Sequence, residues 1–114
     1  MRSIYGPIAL VAILVVGCSG GARVTVSNES SATLNSLTLS GEGFSQSLGS
    51  LEPGAKRDVR IRPSGETSLS VTFVANGKKF ESPPAGYFEG GGYRVRAEVK
   101  PNFEVAVRST LESY

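Results

Sequence analysis

The sequence contains no histidine and no tryptophan, and among its 114 residues it has one cysteine, Cys18, and one aspartate, Asp58. These absences remove the usual residue combinations for nucleophilic catalysis and for zinc or calcium ligation. The nine glutamates are dispersed over predicted turns and polar faces, and no Ser-x-x-Lys motif occurs. We therefore predict a protein that is not an enzyme and that has no metal or cofactor site.

Charge of either sign is sparse and nearly balanced, with 12 Lys and Arg against 10 Asp and Glu. This balance does not favour a nucleic-acid partner. The glycine-rich segment at 89–92 precedes a predicted strand, whereas a phosphate-binding loop precedes a helix, so no small-molecule substrate is indicated. A single cysteine also excludes an intramolecular disulfide, which leaves the hydrophobic core to hold the fold.

Long hydrophobic runs are absent except at the start of the chain. Residues 1–17 combine a basic beginning at Arg2 with a ten-residue uncharged run from Ile8 to Gly17. This is the layout of an export signal peptide. A single-pass membrane anchor is the alternative, although a bilayer span needs about 20 apolar residues.

The only cysteine follows this run directly. The stretch Val15-Val16-Gly17-Cys18 resembles the lipobox of bacterial lipoproteins. The resemblance implies cleavage between Gly17 and Cys18, a lipid on the Cys18 thiol and an acylated new amino terminus, so that the protein is anchored to a membrane of the cell envelope. Because Ser19 follows the cysteine, the resemblance also implies the outer membrane, facing the periplasm, if the source is Gram-negative.

Downstream of a short linker at 18–22, apolar and polar residues alternate with the period of two that is typical of β-strands. Seven or eight short segments show this pattern, and two clear cases are Val24 with Val26, and Leu69 with Val71 and Phe73. The sequence therefore predicts an all-β fold after the N-terminal hydrophobic signal helix. We expect an antiparallel seven- to eight-stranded sandwich, immunoglobulin-like in architecture, over 23–110, and a C-terminal tail at 111–114.

Turn residues separate the predicted strands. Pro53-Gly54 fits a type II turn, and Asn76-Gly77 predicts a type I′ hairpin. Residues 63–66 and 100–103 are expected to close two further hairpins. The aromatic pair Tyr87-Phe88 is predicted to cap one end of the sandwich, and an exposed contact site is the alternative.

Basic residues alternate with apolar ones in two predicted strands. If these strands share a sheet, one outer face carries six cations against Asp58 and Glu98. Such a face, close to a membrane, could contact anionic lipid head groups or an acidic envelope polymer. The alternative is an ordinary solvated sheet face. The predicted contact residues are Arg60, Arg62, Arg94, Arg96 and Lys100.

The sequence predicts a lipid-anchored envelope protein whose non-catalytic β-sandwich is a binding or structural module at the membrane surface. The ligand is not specified by any motif. One alternative is an accessory or inhibitor subunit that docks an envelope protein by a strand edge or through Tyr87-Phe88. Another is a single-pass membrane protein without lipidation.

Overall fold

Within residues 21–112, which are the residues that the computed structural model describes, every regular element is a β-strand. The predicted signal peptide, Cys18 and most of the linker lie outside this range. No helix in the described part of the chain is long and apolar enough to cross a membrane. The strands are β1 (Ala22–Asn28), β2 (Leu34–Gly41), β3 (Phe44–Leu51), β4 (Lys56–Ile61), β5 (Thr67–Ala75), β6 (Lys78–Glu81), β7 (Ala85–Phe88), β8 (Tyr93–Val99) and β9 (Val105–Leu111).

The strands form two sheets. The four-stranded sheet has the order β4-β1-β8-β9, and the five-stranded sheet has the order β3-β2-β5-β6 with β7 also paired to β5. The all-β prediction is confirmed, but the strand count and the purely antiparallel arrangement are wrong. Strand β7 was not expected, and β1 runs parallel to β8. That pairing joins the first strand to the eighth, and local alternation carries no information about so distant a neighbour.

The hydrophobic core lies between the two sheets because alternate side chains of each strand point inwards. Strand β5 shows this most completely: Leu69, Val71 and Phe73 are fully buried, and the residues between them are half-buried. From the other sheet, Val24 of β1 and Val95 of β8 are equally buried in the same cluster. One core thus joins both sheets.

Three of the four predicted turns are confirmed. Asn76 and Gly77 both have positive φ, at 52° and 75°, as a type I′ turn requires, and they join β5 to β6. Gly54 has φ 80°, and the Ala55 amide donates to the Glu52 carbonyl at 3.0 Å. Residues 100–103 join the antiparallel pair β8 and β9. The hairpin expected at 63–66 is wrong, because this segment carries the chain from one sheet to the other.

Asn28, at the end of β1, is a buried polar residue whose side chain is fully hydrogen-bonded. Its Nδ2 donates to the carbonyls of Ala32 at 2.8 Å and Leu51 at 2.9 Å, and its Oδ1 accepts from the amide and hydroxyl of Ser30. Its backbone amide donates to Ala55, and its carbonyl accepts from Gly54. Asn28 therefore ties the end of the four-stranded sheet to the end of β3 and the following turn.

We predict that Asn28→Ala lowers the free energy of unfolding by about 3 kcal/mol, because it removes four side-chain hydrogen bonds at a buried position. Urea unfolding of the purified protein measures the change. The matched control is Asn35→Ala, since Asn35 is exposed and only accepts a hydrogen bond from Ser50. Equal effects of the two substitutions would contradict the role of Asn28.

Phe103 occupies a strained backbone position in the turn between β8 and β9. Its φ is 69°, in the left-handed region that favours glycine. Its ring packs 4.8 Å from the ring of Phe80 and 6.2 Å from that of Phe73, between centroids. Each aromatic pair contributes about 0.5–1.5 kcal/mol, which is comparable to the cost of about 1–2 kcal/mol for left-handed backbone. The packing therefore holds the turn in a conformation that phenylalanine by itself disfavours.

At position 103 we predict an inversion of the usual order of glycine and alanine. Phe103→Ala should lose about 2 kcal/mol of stability through the missing ring contacts, and Phe103→Gly should be about 1 kcal/mol more stable than Phe103→Ala because glycine accepts positive φ. Phe80 does not have positive φ, so at this position the usual order should hold, and Phe80→Gly should be less stable than Phe80→Ala. Thermal unfolding of the four variants tests this, and the same order at both positions would refute it.

Candidate functional site

The outer face of the four-stranded sheet collects most of the cations of the two sequence segments singled out above. Strands β4 and β8 do lie in one sheet, separated by β1. Because Val24 and Val95 point into the core, the residues next to them point outwards. The predicted residues Arg60, Arg94 and Arg96 therefore share one face.

Strand register arranges this face in rows across the strands. Arg23 of β1 is paired with Arg60 of β4 on one side and with Arg94 of β8 on the other. We call Arg60, Arg23 and Arg94 the arginine row. Adjacent strands are about 4.8 Å apart, and like charges directly opposite each other are destabilising. The next row towards the far end of β1 is formed by Asp58, Thr25, Arg96 and Arg108.

At the end of the face remote from residue 21, two cations form ion pairs. Lys100 Nζ lies 3.2 Å from Glu29 Oε1 and 3.1 Å from Glu98 Oε1, and Arg108 Nη2 lies 3.6 Å from the same Glu98 oxygen. The hydrogen bond with Lys100 lowers the pKa of Glu98, and the hydrogen bonds with Glu98 and Glu29 raise the pKa of Lys100. Both groups stay charged at neutral pH and cancel one another.

The arginine row has no such counter-ions. Within residues 21–112, the ion pairs involve Lys100 and Arg108 and none of the row's three arginines. The nearest carboxylate along the face, Asp58, accepts a hydrogen bond from the Thr25 hydroxyl at 2.6 Å. Arg94 Nε is buried and has no acceptor in the described part of the chain. A donor left in this state costs about 1–3 kcal/mol.

The predicted contact residues thus fall into two groups. Arg60, Arg94 and the exposed Arg62 lie at the end of the sheet near residue 21, with Arg96 one row further along. Lys100 forms ion pairs at the other end. Sequence reasoning missed Arg23 as a member of the face. Its alternation with Val24 indicated an outward side chain, but its place between the two basic strands depends on a pairing between distant parts of the chain.

The edge of the five-stranded sheet at β3 is covered by a cation from the other sheet. Arg57 of β4 donates through Nη1 to the Leu48 carbonyl and through Nη2 to the Ser50 carbonyl, the latter at 3.0 Å. These carbonyls are two residues apart on an edge strand, where an added strand would find its acceptors. Arg57 therefore links the sheets and blocks the second half of this edge.

The aromatic pair Tyr87-Phe88 belongs to strand β7, and the structure separates its two members. Phe88 is fully buried, with its ring centroid 6.2 Å from that of Phe44, whereas Tyr87 is 47 % exposed. The Tyr87 hydroxyl donates to Glu89 Oε2 at 2.9 Å. That hydrogen bond to a carboxylate is the main cause that raises the pKa of Tyr87 to about 12.

Other parts of the described chain offer less chemistry. A shallow groove of about 340 Å³ lies between β6 and β9, with Phe80, Phe103 and Val105 against Glu81 and Glu104. No group of three or more His, Cys, Asp or Glu side chains within residues 21–112 is arranged to hold a metal ion. The basic face is the most distinctive charged feature among these residues.

No protein family matches the chain, and no curated protein matches it. Among solved structures, the chain is similar to a protein from Eubacterium rectale whose structure was determined by NMR. The two are 15 % identical with a TM-score of 0.55, and the similarity covers 82 % of this chain and 90 % of the other. At this level of identity the likeness shows a shared fold alone.

Tyr87 offers a direct test of the local electrostatics. We predict that Glu89→Gln lowers the pKa of Tyr87 from about 12 towards the ordinary value of 10.0, because the phenolate no longer faces a carboxylate. Absorbance titration, with the Tyr87→Phe protein subtracted, isolates this phenol. Glu66→Gln is the matched control and should shift the pKa less, since Glu66 acts only through space. A larger shift in the control would disprove the assignment.

Proposed function

We propose that the protein is a lipid-anchored protein of the cell envelope, whose non-catalytic, immunoglobulin-like β-sandwich acts as a binding or structural module at the membrane surface. The observation that carries the proposal is the position of the single cysteine. Cys18 follows the apolar run directly, and the first strand that the structure describes starts only four residues later, at Ala22. The two packed sheets of mainly antiparallel strands support the immunoglobulin-like assignment.

The short linker supports a position against the bilayer. From Cys18 to Ala22 the chain spans at most about 14 Å at 3.3–3.6 Å per residue. One acyl chain gives marginal membrane binding and two give stable anchoring, so a diacylglyceryl group with or without a third chain is sufficient. By the resemblance to lipoproteins with Ser19 after the cysteine, the membrane is the outer one, facing the periplasm, if the source is Gram-negative.

Because Arg57 covers the edge strand β3, binding through the face of the four-stranded sheet is favoured over docking by this edge. Arg57 already occupies the carbonyls of Leu48 and Ser50. A subunit that added a strand there would first have to displace both hydrogen bonds. The outer face of the four-stranded sheet carries no such cover among residues 21–112.

Metabolic labelling with palmitate in a bacterial host tests the anchor. The unaltered protein should take up label and migrate as a processed species, and Cys18→Ser should abolish both, because only the thiolate accepts the diacylglyceryl group. Ser19→Ala is the matched control and should keep the label. Palmitate label that persists in the Cys18→Ser protein would refute the lipoprotein proposal. If the unaltered protein is found in the membrane fraction but is neither processed nor labelled, the single-pass alternative is favoured.

A further inference from the structure

We propose that the arginine row, together with Arg62, binds the phosphate groups of anionic phospholipids in the same membrane that holds the anchor. The inference rests on the proposed function for its geometry, because the anchor sets which end of the sandwich meets the bilayer. It goes beyond that function by naming the surface, its residues and the chemical class of its partner.

The first argument is the density of like charge. Arg60, Arg23 and Arg94 are direct neighbours on three adjacent strands. Arg62 lies two residues beyond Arg60 along the same segment and is exposed. Four arginines thus lie at one end of one sheet. Repulsion between them opposes the fold, and an anion that bridges them would remove it.

The second argument is that the protein leaves these charges unsatisfied. Within residues 21–112, no member of the row takes part in an ion pair, although Glu98 and Glu29 neutralise cations at the opposite end. Asp58 sits one row further along the face, and Glu112 follows β9, where its backbone amide donates to Gly92. The orphaned Nε of Arg94 adds a donor that lacks an acceptor.

The third argument is the point at which the chain enters the fold. A Cβ placed on Gly21 would lie 3.0 Å from Arg60 Cγ and 3.1 Å from Arg62 Cγ, so the backbone arrives between these two side chains. Residue 21 is three positions from Cys18, a distance of at most about 11 Å. The row is therefore the part of the basic face closest to the anchor, within reach of lipid head groups.

Arginine suits this partner. Its planar guanidinium presents paired donors that match two phosphate oxygens, and it remains charged at any physiological pH. A phospholipid surface offers many phosphates in one plane, as the flat outer side of a sheet requires. An acidic polymer would lack the fixed distance from the anchor, so it would not select the end of the face near residue 21.

The experiment uses the full chain, expressed in a bacterial host, purified from membranes and checked by mass for lipid at Cys18. Thr110, which is exposed and paired with Arg94 on β9, is changed to cysteine and carries a fluorophore. The protein is placed in phosphatidylcholine vesicles with or without about 30 % phosphatidylglycerol, and quenching by a head-group-labelled lipid is measured. A label on Ser47→Cys, which is exposed on β3 of the other sheet, reports on the opposite side.

We expect the label at position 110 to be quenched more in anionic vesicles than in neutral ones, and the excess to vanish at about 0.5 M NaCl, where charges are screened beyond a few ångströms. The triple variant Arg23→Gln, Arg60→Gln, Arg94→Gln should reduce the excess by about fivefold or more. The control Lys56→Gln, Lys78→Gln, Lys79→Gln removes the same charge from the far end of the face, at Lys56, and from β6 of the other sheet, and it should keep the excess. Circular dichroism verifies folding, and if the arginine variant fails to fold, the lipid and salt series on unaltered arginines still decides.

Three results would overturn the inference: equal quenching at positions 110 and 47, equal loss in the lysine and arginine variants, or complete displacement by inorganic phosphate but not by chloride at the same ionic strength. The last would indicate a site for free phosphate. Failure of the anchor is a separate outcome. The mass then shows no lipid at Cys18, while the quenching series still reports whether the row meets the bilayer.

Discussion

The side-chain amide of Asn28 sits where β1 leaves the four-stranded sheet, and its hydrogen bonds reach Ala32, Leu51 and Ser30. Since β1 lies between β4 and β8, pinning its end also fixes its register with both neighbours. A slip of one residue would turn Val24 out of the core and Arg23 into it. The hydrophobic core and the basic face therefore depend on the same buried contact.

The register of β1 with β4 and β8 also places like charges next to one another, which lowers the stability of the fold. Placing Arg23 between Arg60 and Arg94 puts like charges opposite each other on two sides, at about 0.2–1 kcal/mol per pair. Burial of β1 offsets this: Ala22, Val24 and Val26 are fully buried. The central strand thus contributes strongly to the core through one side and opposes the fold through the other. A carboxylate at position 23 would stabilise the fold by pairing with the neighbouring arginines, in the way that Glu98 pairs with Lys100 at the other end of the face.

Local features of the fold followed from the sequence, and non-local ones did not. Asn76-Gly77 and Pro53-Gly54 each carry their backbone requirement in two adjacent residues, so their turns were predictable. The segment at 63–66 has similar residues, yet it crosses between sheets, a choice that depends on which strands lie beside β4 and β5. For the site, alternation placed Arg60, Arg94 and Arg96 on outward positions. The membership of Arg23 and the neutralisation of Lys100 by Glu29 required the parallel pairing and a contact over 71 positions.

The distribution of counter-ions along the basic face argues against an ordinary solvated sheet surface. On such a surface, acids would be interspersed with the cations along the whole strand length. Here Glu29 and Glu98, with the ion pairs they form, lie where β1 ends, around Lys100, and the unpaired arginine row lies where it begins. This asymmetry runs along β1, and its unpaired arginines lie at the end where the described chain enters the sheet from residue 21. Because charge that only discourages edge pairing has no reason to follow that axis, the asymmetry is better explained by a negative partner at the end of the sheet where β1 begins.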